Sequence, residues 1–403
     1  MKKLLVLALA IALTLPALSI TAFASVEVEN PDYYGKFKGQ NIAINVHNWG
    51  EYISNDAEEA MDVNAEFEEL TGIKVNYTTF ASNEELYARL KSGGAQYDIV
   101  IPSDYMIAKF IREDMLEKLN VTNIPNVKYT NPQFLGMEYD PNDEYSVPYT
   151  WGTVGIIYNT TMVEDEVTSW SALWDPRYSG SVLMFSNPRD AFALAQKKLG
   201  YSLNTHDIDE LRNAARELKT KKPLVQAYVM DEIFDKMQGG EAALAPYYAG
   251  DALTMMADNE DLEFVVPQEG TNKFVDSICI PKGSKQKEAA ELYINFLCEP
   301  EVAAANIEYI GYSTPNLEAF KLLPQEVQES PISYPPQDIM DRAEFFYDLP
   351  PEASREMDAL WVEVISADVG YSKWMIPILM VVCIMFSIGI NVVRAVRKKR
   401  DIY

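Results

Sequence analysis

From residue 41 the chain alternates short apolar runs with amphipathic stretches. NIAINVH (41–47) has the period of a strand and runs directly into Asn48, Trp49, Gly50, Glu51 and Tyr52. The stretch 56–70 has helical spacing and is stopped by Gly72. IKVNYTTF (73–80) predicts a second strand, and SNEELYARLKSG (82–93) a helix opening on a Ser82 to Glu85 capping box. YDIVIPS (97–103) predicts a buried strand ending at Ser103, and YMIAKFIREDML (105–116) a further helix. This β-α-β-α-β-α order predicts an α/β fold with a mostly parallel sheet and helices on both faces. Ligands of such sheets gather beyond the carboxyl ends of the strands, which places residues 49–52 and 103–105 on one rim.

The pattern restarts near residue 150. GTVGIIYN (152–159) and SVLMFSN (181–187) read as strands, 190–199 and 207–219 as helices. EAALAPYYAGD (241–251), LEFVVPQEG (262–270) and VDSICIP (275–281) follow, the last resembling a strand that crosses back to the first unit before a helix at 285–297. The Pro-rich stretch 324–351 predicts a connection over the surface. A middle part of about 350 residues is too long for one core, so two lobes are expected. Lobe 1 is assigned to about 40–150 and 276–320, lobe 2 to about 151–275 and 321–350, and a stalk to about 351–373.

The ends differ from this middle. Residues 1–24 carry two lysines, an apolar run and Ala22-Phe23-Ala24, the pattern of a cleaved signal peptide, with no Cys after it to take a lipid. Residues 374–393 hold no charge and span about 30 Å as a helix, and the basic tail 394–403 follows. The positive-inside rule then predicts an exported domain outside, one transmembrane helix and a cytoplasmic C-terminus.

Charge narrows the function. The chain has 60 Asp+Glu against 34 Lys+Arg, net −26. The two ends contribute +2 and +4, so residues 25–373 hold −32. Such a surface repels phosphate backbones, which argues against nucleic-acid binding and favours cationic partners. With only His47 and His206, a His-rich metal site or a Ser-His-Asp triad lacks material, and neither metal nor cofactor is expected. Cys279 and Cys298 lie in apolar stretches and read as buried thiols, with one disulfide as the alternative.

Five strand ends pair aromatics with carboxylates or hydroxyls. Aromatic faces attract ammonium groups and carboxylates hydrogen-bond them, so the set suits a flexible aliphatic diamine. Asp190, Asp251 and Asp276 could also serve as acid/base carboxylates, but no nucleophile motif or phosphate loop accompanies them. A non-enzymatic binder is therefore expected. A membrane-tethered sensor is the other alternative.

NWGEY, SNEELYARLKSGGAQYDIVIPSDY, YSVPYTWGTVGIIYN, TSWSALWDPRYSGSVLM, KLGYS and IGYSTPNLEA closely resemble the periplasmic spermidine/putrescine-binding proteins of ABC transporters, from about residue 40 to about 348. The resemblance implies a two-lobed periplasmic-binding-protein fold that closes over a polyamine and hands it to permease subunits. It implies an aromatic wall from Trp49, Tyr52 and Tyr312, with Glu51 beside it, and a polar and aromatic pair in Ser103 and Tyr105. Asp190 would contact an amine, Tyr248 would stand where Trp is usual, and Asp276 would be the principal amine-binding carboxylate. Asn187 stands where spermidine binders tend to have Asp, and Phe346 near where they place Gln. Asp251 and Phe274 look more like the putrescine-preferring members. The 374–393 span is not part of the usual soluble receptor.

Overall fold

Nine strands form one mixed sheet among the described residues of this computed structural model, which are 26–55, 60–93 and 96–367. They are β1 (Ala43–Trp49), β2 (Lys74–Phe80), β3 (Ile99–Val100), β4 (Ser146–Asn159), β5 (Val182–Phe185), β6 (Val225–Val229), β7 (Leu244–Tyr248), β8 (Leu262–Val265) and β9 (Lys273–Cys279). Their order is β2-β1-β3-β9-β4-β7-β5-β6, with β8 pairing β4 off this path.

The two halves are parallel, as the alternating pattern predicts: β1 pairs β2 and β3, and β5 pairs β6 and β7. What joins them is antiparallel, which that pattern does not reveal. β4 pairs β9 over its first part, from Ser146 opposite Cys279 to Thr153 opposite Lys273, and β7 and β8 over its second. It starts earlier than the apolar run at 152 suggests and is buried almost throughout. A strand buried on both faces reads as continuous apolar sequence, not alternation. The register shifts between Pro148 and Thr150, where proline has no N–H for the ladder. The result is two lobes with two strands crossing between them.

Local signals act as expected near the rim. Gly72, at φ 73°, ends the helix Val63–Thr71, and its N–H bonds the Glu68 carbonyl. The Ser82 hydroxyl accepts from the Glu85 N–H at 3.1 Å, capping the helix Asn83–Ser92, while Glu85 reaches back to the Ala81 N–H instead of that of Ser82. Cys279 and Cys298 are free and buried. β6 and the helices Ala249–Asp258 and Pro300–Ile310 are additions to the sequence reading.

The expected stalk needs correcting over its described part. Pro351–Ser366 is a helix whose Ala353, Met357, Leu360 and Val364 are buried at a spacing of one turn. It packs on the helix Ile208–Lys221, Trp361 meets Tyr228 edge-on at 5.9 Å, and Arg212 and Lys219 pair with Glu356 and Glu363. Amphipathic spacing makes this a docked element, not a tether. Among the described residues no helix is long and apolar enough to cross a membrane. The leader at 1–24, the span at 374–393 and the tail at 394–403 lie outside the described residues.

Because Met357 is 3% exposed, Met357→Ala should lower the unfolding free energy by about 2–5 kcal/mol. Urea denaturation of the full chain checks this; an unchanged midpoint would mean that the helix is not docked.

Candidate functional site

Between the halves lies a cavity of about 560 Å³, mouth included, lined by four aspartates and by no basic side chain. The strand ends supply it. Trp49 closes β1, and Tyr52 follows in the next turn. Ser103 and Tyr105 lie where β3 gives way to the helix Asp104–Arg112. Asp190 sits in the first turn of the helix Pro188–Lys198 after β5, and Asp251 in that of Ala249–Asp258 after β7. Tyr248 ends β7, Phe274 and Asp276 belong to β9, and Tyr312 follows the helix Pro300–Ile310.

The aromatic wall is continuous. Tyr52 and Tyr312 have ring centres 4.7 Å apart, Tyr312 and Phe274 6.3 Å, and Phe274 and Tyr248 5.6 Å. Tyr312 reaches this place because Gly250 has no side chain: a Cβ there would lie 2.3 Å from its ring. Phe346 meets Tyr105 edge-on at 5.8 Å, and the Arg189 guanidinium packs behind it, 4.4 Å from the Phe346 ring centre.

The acids are held in place yet undercompensated. The Tyr52 hydroxyl donates to Asp276 Oδ2 at 2.8 Å, while Oδ1 is buried without a hydrogen-bond partner. Burial pushes the Asp276 carboxyl up to about 6, although the Ser103 and Tyr52 hydroxyls favour its charged form. Tyr248 donates to Asp190 Oδ2 at 2.8 Å, and burial raises that carboxyl too. Asp251 is pushed well up by burial, against the Tyr312 hydroxyl and with the added repulsion of Asp231, Glu51 and Asp276. Buried carboxylates without cations are costly, so this cavity favours a ligand that brings positive charge.

A family model described as Bacterial extracellular solute-binding protein matches residues 96–343. The chain belongs to this family. The solute-binding protein is 39% identical over 312 residues to the spermidine/putrescine-binding periplasmic protein of Salmonella typhimurium, covering 77% of this chain and 88% of the relative. It is 31% identical over 344 residues to a putrescine-binding periplasmic protein of Pseudomonas aeruginosa, covering 80% and 92%. A solved structure of the spermidine/putrescine ABC transporter substrate-binding protein of Streptococcus pneumoniae superposes with a TM-score of 0.68 at 38% identity, covering 81% of this chain and 99% of that one. Members of this family are the substrate-binding components of transporters.

Of the eleven candidate residues, ten line the cavity of this solute-binding protein. Glu51 does not; it is exposed in the turn after β1, at φ 47°. Asn187 is occupied locally, its Oδ1 capping the Asp190 N–H at 2.9 Å and its Nδ2 facing the Met230 sulfur. The lining also takes in Tyr247, which stands in the aromatic and acidic cluster 247–251, and Asn83, Met230, Asp231 and Asn272, which the sequence reading missed. Asn83 had a signal, since it follows the capping Ser82. Asp231 had none, since it follows the unrecognised β6.

Protonation gives a signed test. Between the ordinary value of 3.8 and about 6 the folded protein holds a proton on Asp276 that the unfolded chain releases. Ligand-free stability should therefore rise as pH falls through that window, and decline as pH rises through about 6, while affinity for a cation moves the opposite way. Asp276→Asn should reduce the slope of both profiles around pH 6, leaving the share of the other buried acids, and cost about 2–5 kcal/mol of cation binding at neutral pH. Urea midpoints and titration calorimetry at several pH values measure the two effects.

Proposed function

We propose that this solute-binding protein is an extracytoplasmic receptor for polyamines, putrescine foremost, which it delivers to the permease of an ABC transporter. The observation that carries the reading is the lining itself: four aspartates, no basic side chain, and an aromatic wall between the acids. A methylene chain packs on the rings while its ammonium ends meet Asp276 and the acids on either side. Names of relatives that specify spermidine/putrescine and putrescine support the same ligand class. Asp251 favours the shorter diamine. Asn187 is a neutral amide that supplies no second charge at the far end, and its side chain is taken up in capping a helix.

The ends complete the proposal. A cleaved leader at 1–24 would export the chain, and the uncharged run 374–393 with its basic tail would hold the receptor beside its permease, raising its effective concentration there.

Calorimetric titration with putrescine, cadaverine, spermidine and spermine should find putrescine bound at least as well as spermidine. A preference for spermidine of about a hundredfold, or no binding of any of the four, overturns the ligand reading. A chain ending at Lys373 should leave the membrane fraction with its affinity unchanged and uptake by cells impaired. A truncated chain that stays with the membrane overturns the anchor.

A further inference from the structure

Among the charged contacts between the halves, two differ in kind. At one, Arg112 of the first half pairs with Asp348. Asp348 follows Tyr347, which is fixed to the second half by its N–H to Asn204 and its carbonyl to Arg189. This crossing is attractive. The other lies at the cavity mouth, where Asp231, just after β6, comes over the turn after β1. A Cβ built on Gly50 would lie 2.3 Å from Asp231 Oδ2, so a side chain there would push the carboxylate away from the turn. Beside Gly50 stands Glu51, and behind Asp231 stand Glu232 and the buried Asp251.

We propose that Asp231 and Glu51 are an electrostatic gate: like charges from opposite halves that resist closure until a cation lies between them. The inference rests on the cationic ligand proposed above and adds the coupling of that ligand to movement of the halves. Desolvation together with Glu232 and Glu51 raises the Asp231 carboxyl, as mutual repulsion requires. In the same cavity Asp276 presents a buried carboxylate with no basic side chain beside it. A cationic ligand brings positive charge to this cavity, and its share at the mouth cancels the repulsion there, so binding shifts the population toward closure by its differential interaction with the closed state. The Arg112–Asp348 pair favours closure on the other side whether or not a ligand is bound.

The test measures the closed fraction of the full chain by single-molecule energy transfer, with dyes on cysteines replacing the exposed Gln40 and Gln226. Without ligand, Asp231→Asn should raise the closed fraction about threefold or more, and about 0.5 M NaCl should do the same to the unaltered protein by screening. Arg112→Ala should lower the closed fraction in saturating putrescine. Gly50→Ala should lower it as well, and Gly50→Ala with Asp231→Ala should restore it. An Asp231→Asn variant whose ligand-free closed fraction equals or falls below that of the unaltered protein overturns the gate. If Asp231→Asn shifts the ligand-free population while putrescine closes neither protein, the gate stands and the polyamine reading falls.

Discussion

A carboxylate buried at the crossing of two strands governs the site. Asp276 lies on β9 opposite Thr150 of β4, next to the register shift at Pro148, and is 4% exposed. One oxygen accepts from the Tyr52 hydroxyl, and no basic side chain faces the carboxylate. Desolvating an acid there is unfavourable unless it is protonated or meets a cation. The surroundings lean toward the second outcome. Hydroxyls from Tyr52 and Ser103 favour the ionised form, and the rings of Tyr52, Tyr312, Phe274 and Tyr248 present faces and edges where an alkylammonium packs well. Asp190 and Asp251 repeat the arrangement on the second half, each with a tyrosine hydroxyl on its carboxylate.

Much of this could be read from the chain because each component is local. Trp49, Ser103, Asp190 and Tyr248 stand at or just past strand ends, and an apolar run followed by a turn marks such ends without knowledge of the fold. Asp276 reads with Phe274 as a strand end and matches through the family resemblance, whereas both residues lie inside β9. The antiparallel join was hidden, because β4 is buried on both faces and its first residues, YSVPYT, carry a proline that argues against an interior strand. β6 was hidden for the opposite reason: VQAYV is a half-exposed edge strand with too little contrast, and with it went Asp231. Glu51 and Asn187 show a further limit. Their neighbours are correctly placed, but whether a side chain faces the cleft or caps a helix depends on backbone geometry within one turn.

The charge pattern also separates recognition from solubility. Net −26 is a property of the whole surface, and an acidic surface alone predicts no site. What distinguishes the cleft is that Asp190, Asp251 and Asp276 are buried without a lysine or arginine in ion-pair contact, whereas half-exposed acids such as Glu85, Glu144 and Glu318 each pair with a base. Arg189 is the instructive neighbour. It packs behind Phe346 and Tyr105 and bonds Asn204 and the Tyr347 carbonyl, so its charge holds the wall together without entering the cavity.

The helix Pro351–Ser366 fixes where forces enter the molecule. It is bolted along the helix Ile208–Lys221, and Lys222 grips its last carbonyls, at Ile365 and Ala367. A load applied at Ala367 would therefore enter through the second half, reaching Asp190, Tyr248 and Asp251 by a rigid helix pair before it reached Trp49, Tyr52 and Tyr105.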